Sequence, residues 1–176
     1  MTDLILIITL GPVTGYSRRF HAELRRRCRR RLAEAGLLGA GDSLSACAEF
    51  ASRSGRPIVS SAITMPSNSM HAMLVRTTDI DYIVYERDTT RLHQQHIIAH
   101  ELGHLIWNHR GIAEFGDGQE IVAVLGRGNY DPVEELEAEV TATLLLERQR
   151  SVLGRPVGSD RARAMGEALG FESARR

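Results

Sequence analysis

The sequence predicts an α+β fold in one domain. Strand-like runs are gathered between residues 57 and 86, and helical patterns stand before and after that stretch instead of alternating with it. Helix boundaries are well marked, by Gly36, by Ser54-Gly55 and by Asp131-Pro132. A chain of 176 residues is also long enough to bury about 70% of its unfolded surface without a disulfide or metal to hold it.

The elements follow in order. The apolar run Leu4-Ile5-Leu6-Ile7-Ile8-Thr9-Leu10 falls short of the roughly 18–20 residues a membrane span needs. Asp3 stands where a signal peptide carries Lys or Arg, so residues 1–16 are expected to form a short strand or an apolar flap. A helix is predicted over residues 17–35, stopped by Gly36, and a second from Asp42 or Ser43 to about residue 53. Residues 57–60 read as a strand. Residues 72–76 and 81–86 read as a hairpin around Thr77-Thr78-Asp79. A helix capped from Asp88-Thr89-Thr90 is expected over residues 91–109, ending before Arg110-Gly111, and residues 111–129 read as a loop containing the apolar run 121–125. The next helix, about 133–150, has Asp131 as N-cap, Pro132 at its first position and Glu134 completing a capping-box-like pattern. A last short helix is expected at 159–169. The domain thus divides into an apolar N-terminal segment (1–16), a helical part (17–55), a core carrying the chemistry (56–150) and a C-terminal helix and tail (151–176).

With 22 basic and 22 acidic side chains, no global field recruits nucleic acid or a membrane. Eight arginines between residues 18 and 31 form a stripe that could meet phosphate. The balanced charge and the lack of interleaved aromatics favour a solvated flank paired with local acids, and direct nucleic-acid binding is not expected. Cys28 and Cys47 have no metal-like spacing and are expected as reduced thiols in a cytoplasmic protein.

The chemistry concentrates in His100-Glu101-Leu102-Gly103-His104, an H-E-x-x-H pattern within a helix. Four residues make just over one turn, so both imidazoles leave one face and can converge on one metal ion, with Zn2+ the expected cofactor. Glu101 lies beside them as a general base and acid rather than a ligand. Ile98, Leu102, Leu105 and Ile106 follow helical spacing on the opposite face. Gly103, costly in mid-helix, predicts that something crowds that surface.

Catalytic zinc needs a third protein donor. Trp107 and Arg110 stand where the metzincin continuation demands Gly and His, which points to a downstream carboxylate. On the helix after Asp131, Glu135, Ala138, Glu139 and Ala142 form a small-and-acidic stripe beside the apolar face of Leu136, Val140 and Leu144. Glu134 is taken by capping and Glu137 points off the stripe. Glu135 is therefore the expected ligand, with Glu139 a candidate acceptor for a histidine N–H. His96, one turn before His100, is left out of the metal shell. Tyr130, His109 and His96 are the candidates for an oxyanion donor.

His-Glu-Leu-Gly-His at 100–104 followed by Glu135-Leu136-Glu137-Ala138-Glu139-Val140-Thr141-Ala142 resembles the ImmA/IrrE family of zinc metallopeptidases, over about residues 72–146. The resemblance implies His100, His104 and Glu135 as zinc ligands and Glu101 as the catalytic glutamate, within a minimal thermolysin-like (gluzincin) domain. Glu139 stands where that family has Asn or Asp, and Thr141 replaces an apolar residue. The resemblance further implies a zinc-dependent endopeptidase acting on a helix-turn-helix repressor, or alternatively a non-cleaving zinc-containing module that docks to such a repressor. A peptide substrate is expected to lie as a strand along a sheet edge in the hairpin between residues 72 and 86.

Overall fold

The computed structural model describes residues 16–66, 71–109, 121–125 and 131–153, and the expected apolar segment 1–15 and helix 159–169 lie outside the described residues. Within them the α+β class holds. Helix α1, Arg18–Glu34, is capped by the Ser17 side chain, which accepts from the Phe20 N–H. Helix α2, Ser43–Ser54, opens on a reciprocal capping box between Asp42 and Ser45 and closes on Gly55 at φ 70°, a left-handed conformation that glycine adopts without a Cβ clash.

Among the described residues the sheet has four strands: β1 (Ile58–Ile63), β2 (Ala72–Thr77), β3 (Asp81–Glu86) and β4 (Ile121–Leu125), in the order β1-β3-β2-β4. The β2–β3 hairpin turns where the sequence predicted, with the Thr77 hydroxyl accepting from the Ile80 N–H at 3.0 Å and donating to the Ile80 carbonyl at 2.8 Å.

Three expectations are corrected here. Strand β1 runs three residues past the predicted 57–60 and pairs parallel with β3, a long-range pairing with no local signature. Residues 121–125, read as part of a loop, form β4 because they pair antiparallel with β2 and so satisfy their backbone in the sheet. In consequence the hairpin is interior to the sheet, flanked by β1 on one side and β4 on the other, and cannot offer the free edge expected for a peptide.

Helix α3, Arg91–Trp107, lies across β2 and β3, with Thr90 as N-cap. It ends two residues earlier than predicted because Asn108 takes a left-handed conformation, φ 56°, and closes it. Helix α4, Pro132–Leu153, packs along α3, and α1 packs against α4 on its other side. The core joins Leu24 and Leu32 of α1, Leu74 and Ile83 of the sheet, Ile98 and Leu102 of α3, and Ala142 and Leu145 of α4. Gly103 is explained by α4: a Cβ there would lie 3.0 Å from Cα and O of Ala138, so the glycine lets the two backbones touch. Both cysteines are free and buried.

Polar contacts fix how α3 sits. Ser43 at the start of α2 donates its N–H to the Gln95 side chain at 2.6 Å and its hydroxyl to the Gln95 carbonyl at 2.7 Å. Buried Asp81 accepts from Arg56 at 2.9 Å and from Arg76 at 3.3 Å, and Arg76 also donates to the Asn108 side chain at 2.9 Å. The residue that ends α3 is thereby tied to the sheet. On α1, Arg26 and Arg30 pair with Glu23 and Glu34 of the same helix, whereas Arg25 and Arg27 reach across to Glu147 and Glu137 of α4.

Candidate metal centre

Helical spacing on α3 places the His100 and His104 Nε2 atoms 3.1 Å apart. Glu135, in the first turn of α4, reaches both, with carboxylate oxygens 3.5 Å from His100 Nε2 and 3.7 Å from His104 Nε2. The Gly103–Ala138 contact makes this reach possible, because a wider gap between the helices would carry Glu135 away. Among the described residues these three form the one group of His, Cys, Asp or Glu able to hold a metal ion.

Their separations can be tested against zinc. Donors about 2.0–2.1 Å from a tetrahedral ion stand about 3.3 Å from one another. The 3.1 Å between the two imidazole nitrogens matches an edge of such a tetrahedron, Glu135 brings one carboxylate oxygen to 3.5 Å from His100 and the other to 3.7 Å from His104, and two imidazoles with a carboxylate are a donor set that zinc accepts.

Glu101 supplies an independent sign. It is 7% exposed, its Oε2 has no hydrogen-bond partner, and burial, with Glu135 adding to it, lifts its pKa to about 7 despite the opposing charge of His100. A buried carboxylate oxygen without a partner is costly in a merely structural role, whereas a base poised near neutrality suits proton transfer.

The flanks of the two histidines differ. Glu139 places an oxygen 3.5 Å from His100 Nδ1 and 3.2 Å from His96 Nε2. Burial opposes charge on His100, yet Glu135 and Glu139 outweigh it and raise the imidazole to about 10. Burial likewise opposes charge on Glu139, but the bonds to His100 and His96 hold it down at about 2. The longer Glu139 side chain, standing where the resembled family has Asn or Asp, thus still meets the histidine.

His104 is fully buried, and that burial, with the charge of the neighbouring His100, lowers it to about 2. Its Nδ1 lies 2.9 Å from Nδ1 of His109. His109 Nε2 lies 3.2 Å from Glu137 Oε2, and Glu137 Oε1 accepts from Arg27 at 2.9 Å. Thr141, the other departure, accepts from the Trp107 indole N–H at 2.9 Å and donates to the Glu137 carbonyl at 2.7 Å, a polar role an apolar residue could not fill.

The structure therefore brings together His100, Glu101, His104 and Glu135, and sets Glu139 behind His100. Two candidates for an oxyanion donor are engaged elsewhere, His109 with His104 and Glu137, and His96 with Glu139. Tyr130 lies outside the described residues. Sequence reasoning set Glu137 aside and missed its partnership with His109. The one signal available was His109 directly after Asn108, a residue that tolerates the left-handed turn. Comparison with protein-family models, with curated proteins and with solved structures gives no match.

Proposed function

We propose that this chain is a zinc-dependent endopeptidase of the gluzincin kind, similar to the ImmA/IrrE family and acting on a DNA-binding transcriptional regulator. The observation that carries the reading is the convergence of His100 Nε2, His104 Nε2 and the Glu135 carboxylate beside the unpartnered Glu101 Oε2. The choice of a regulator as substrate rests on the family resemblance alone.

His100, His104 and Glu135 would hold the ion. When bound, zinc supplies Lewis acidity that polarises a carbonyl and acidifies water. Glu101 accepts a proton at its free oxygen from the attacking water and returns it to the leaving amine, a role its pKa of about 7 suits in both directions. Glu139 sets a carboxylate oxygen 3.5 Å from His100 Nδ1, which favours a proton on that nitrogen and leaves Nε2 toward Glu135. None of the described helices is long and apolar enough to cross a membrane, which accords with a substrate met outside one.

The test is Glu101→Gln in the full chain, which keeps the shape but cannot accept the proton. Zinc content should stay near one per chain while peptide-bond hydrolysis falls by about 10²–10⁴-fold. If both wild type and the variant bind a helix-turn-helix regulator and neither cuts it, the docking reading replaces the peptidase.

A further inference from the structure

Resting on the metal-centre reading above, the geometry points to His109 and Glu137, closed by Arg27, as a relay that positions His104 for the metal. His104 can offer a lone pair at Nε2 only as the neutral ring with its proton on Nδ1. That N–H then donates to His109 Nδ1, 2.9 Å away. His109 must in turn carry its own proton on Nε2, which lies 3.2 Å from Glu137 Oε2. The carboxylate accepts it, and its other oxygen accepts from the Arg27 guanidinium at 2.9 Å.

The opposite polarity fails at both ends. It would set a bare His109 Nε2 lone pair against a carboxylate and put a proton on His104 Nε2, where the ligand lone pair is needed. The fixed charges of Glu137 and Arg27 therefore choose the His104 tautomer from two residues away. Carboxylate–histidine–metal triads do this with one step, and here a second imidazole extends it.

The backbone is arranged for the purpose. The left-handed Asn108 reverses the chain after α3, the His109 N–H donates to the His104 carbonyl at 3.0 Å, and the two rings meet edge to face with centroids 5.1 Å apart. His109 is 5% exposed and Glu137 7%. A site that needed only filling would be cheaper with an apolar residue, because burying polar groups costs free energy unless every atom is matched.

The experiment measures zinc affinity by chelator competition in the full-length wild type, His109→Leu, His109→Gln and Glu137→Gln, with the imidazole tautomers of the metal-free wild type read by nitrogen-15 NMR. His109→Leu should bind zinc about 10–100-fold more weakly. His109→Gln should recover most of that loss, because its amide oxygen can accept from His104 and its NH2 can donate to Glu137. Glu137→Gln should weaken binding by about tenfold, and it decides the matter if His109→Leu does not fold. The spectra should show His109 protonated on Nε2. Wild-type affinity in folded His109→Leu, equal affinity in the Leu and Gln variants, or a His109 proton on Nδ1 each overturns the relay. A wild type that takes up no zinc removes the metal centre and the relay together, a result distinguishable from all of these.

Discussion

His100 and His104 stand one helical turn apart on α3, yet their outer nitrogens face opposite worlds. Behind His100 is Glu139, a charged partner at a half-buried position that also meets His96. Behind His104 is the buried pair of His109 and Glu137, and Glu137 pairs in turn with Arg27, whose side chain is 43% exposed. One flank holds its ring by charge and therefore answers to pH. The other holds its ring by hydrogen-bond direction, and burial keeps His104 itself neutral between pH 6.5 and 10.

The strongest way to break this contrast is to delete each ring in turn. His100→Ala and His104→Ala should both abolish stoichiometric zinc binding, measured by metal analysis. Their effects on the metal-free protein should differ. His104→Ala leaves a cavity at a fully buried position, costing about 2–4 kcal/mol by urea denaturation at every pH between 6.5 and 10. The pKa of His100 is raised in the folded state, so the stability it contributes is fully present below 6.5 and is lost as pH rises through about 10. The cost of His100→Ala should therefore shrink across that window, and a parallel pH profile for the two variants would erase the distinction.

A smaller effect appears in the binding reaction. Below about pH 10 the metal-free His100 carries a proton that zinc must displace, whereas His104 is already neutral. At about pH 8.5, where Glu101 has already lost its proton, zinc uptake should release about one proton, and affinity should rise about tenfold per pH unit up to the His100 value. Calorimetry in buffers of different ionisation enthalpy counts the proton. Release of none, or of two, would mean that the flanks are charged otherwise.

The smallest effect belongs to Arg27, where the inner flank reaches water. Arg27→Ala removes a half-exposed ion pair and should cost less than about 1 kcal/mol in thermal denaturation. Its loss of zinc affinity should be smaller than that of Glu137→Gln, which places the controlling charge on the carboxylate.

The outer flank could be read from the chain alone, because it depends on spacing within two helices: i and i+4 for the histidines, i and i+4 again for Glu135 and Glu139. The inner flank could not. It needs the chain reversal at Asn108 and the sideways approach of α1, events set by Arg76 and by the packing of three helices. The sheet divides in the same way. The β2–β3 turn is written in Thr77-Thr78-Asp79, while the parallel partner of β1 and the recruitment of residues 121–125 depend on strands distant in sequence.

The contact between Gly103 and Ala138 also bears on which neighbouring sequences this protein can reach by single changes. Position 103 admits only glycine because the Ala138 backbone lies against it, and the gap kept closed there sets the distance from Glu135 to both imidazoles. Adding even one carbon at 103 opens the helix pair and detunes three side chains that it does not touch. Drift at this site is therefore locked to the chemistry, and in a library selected for zinc binding it should be among the least variable positions away from the ligands.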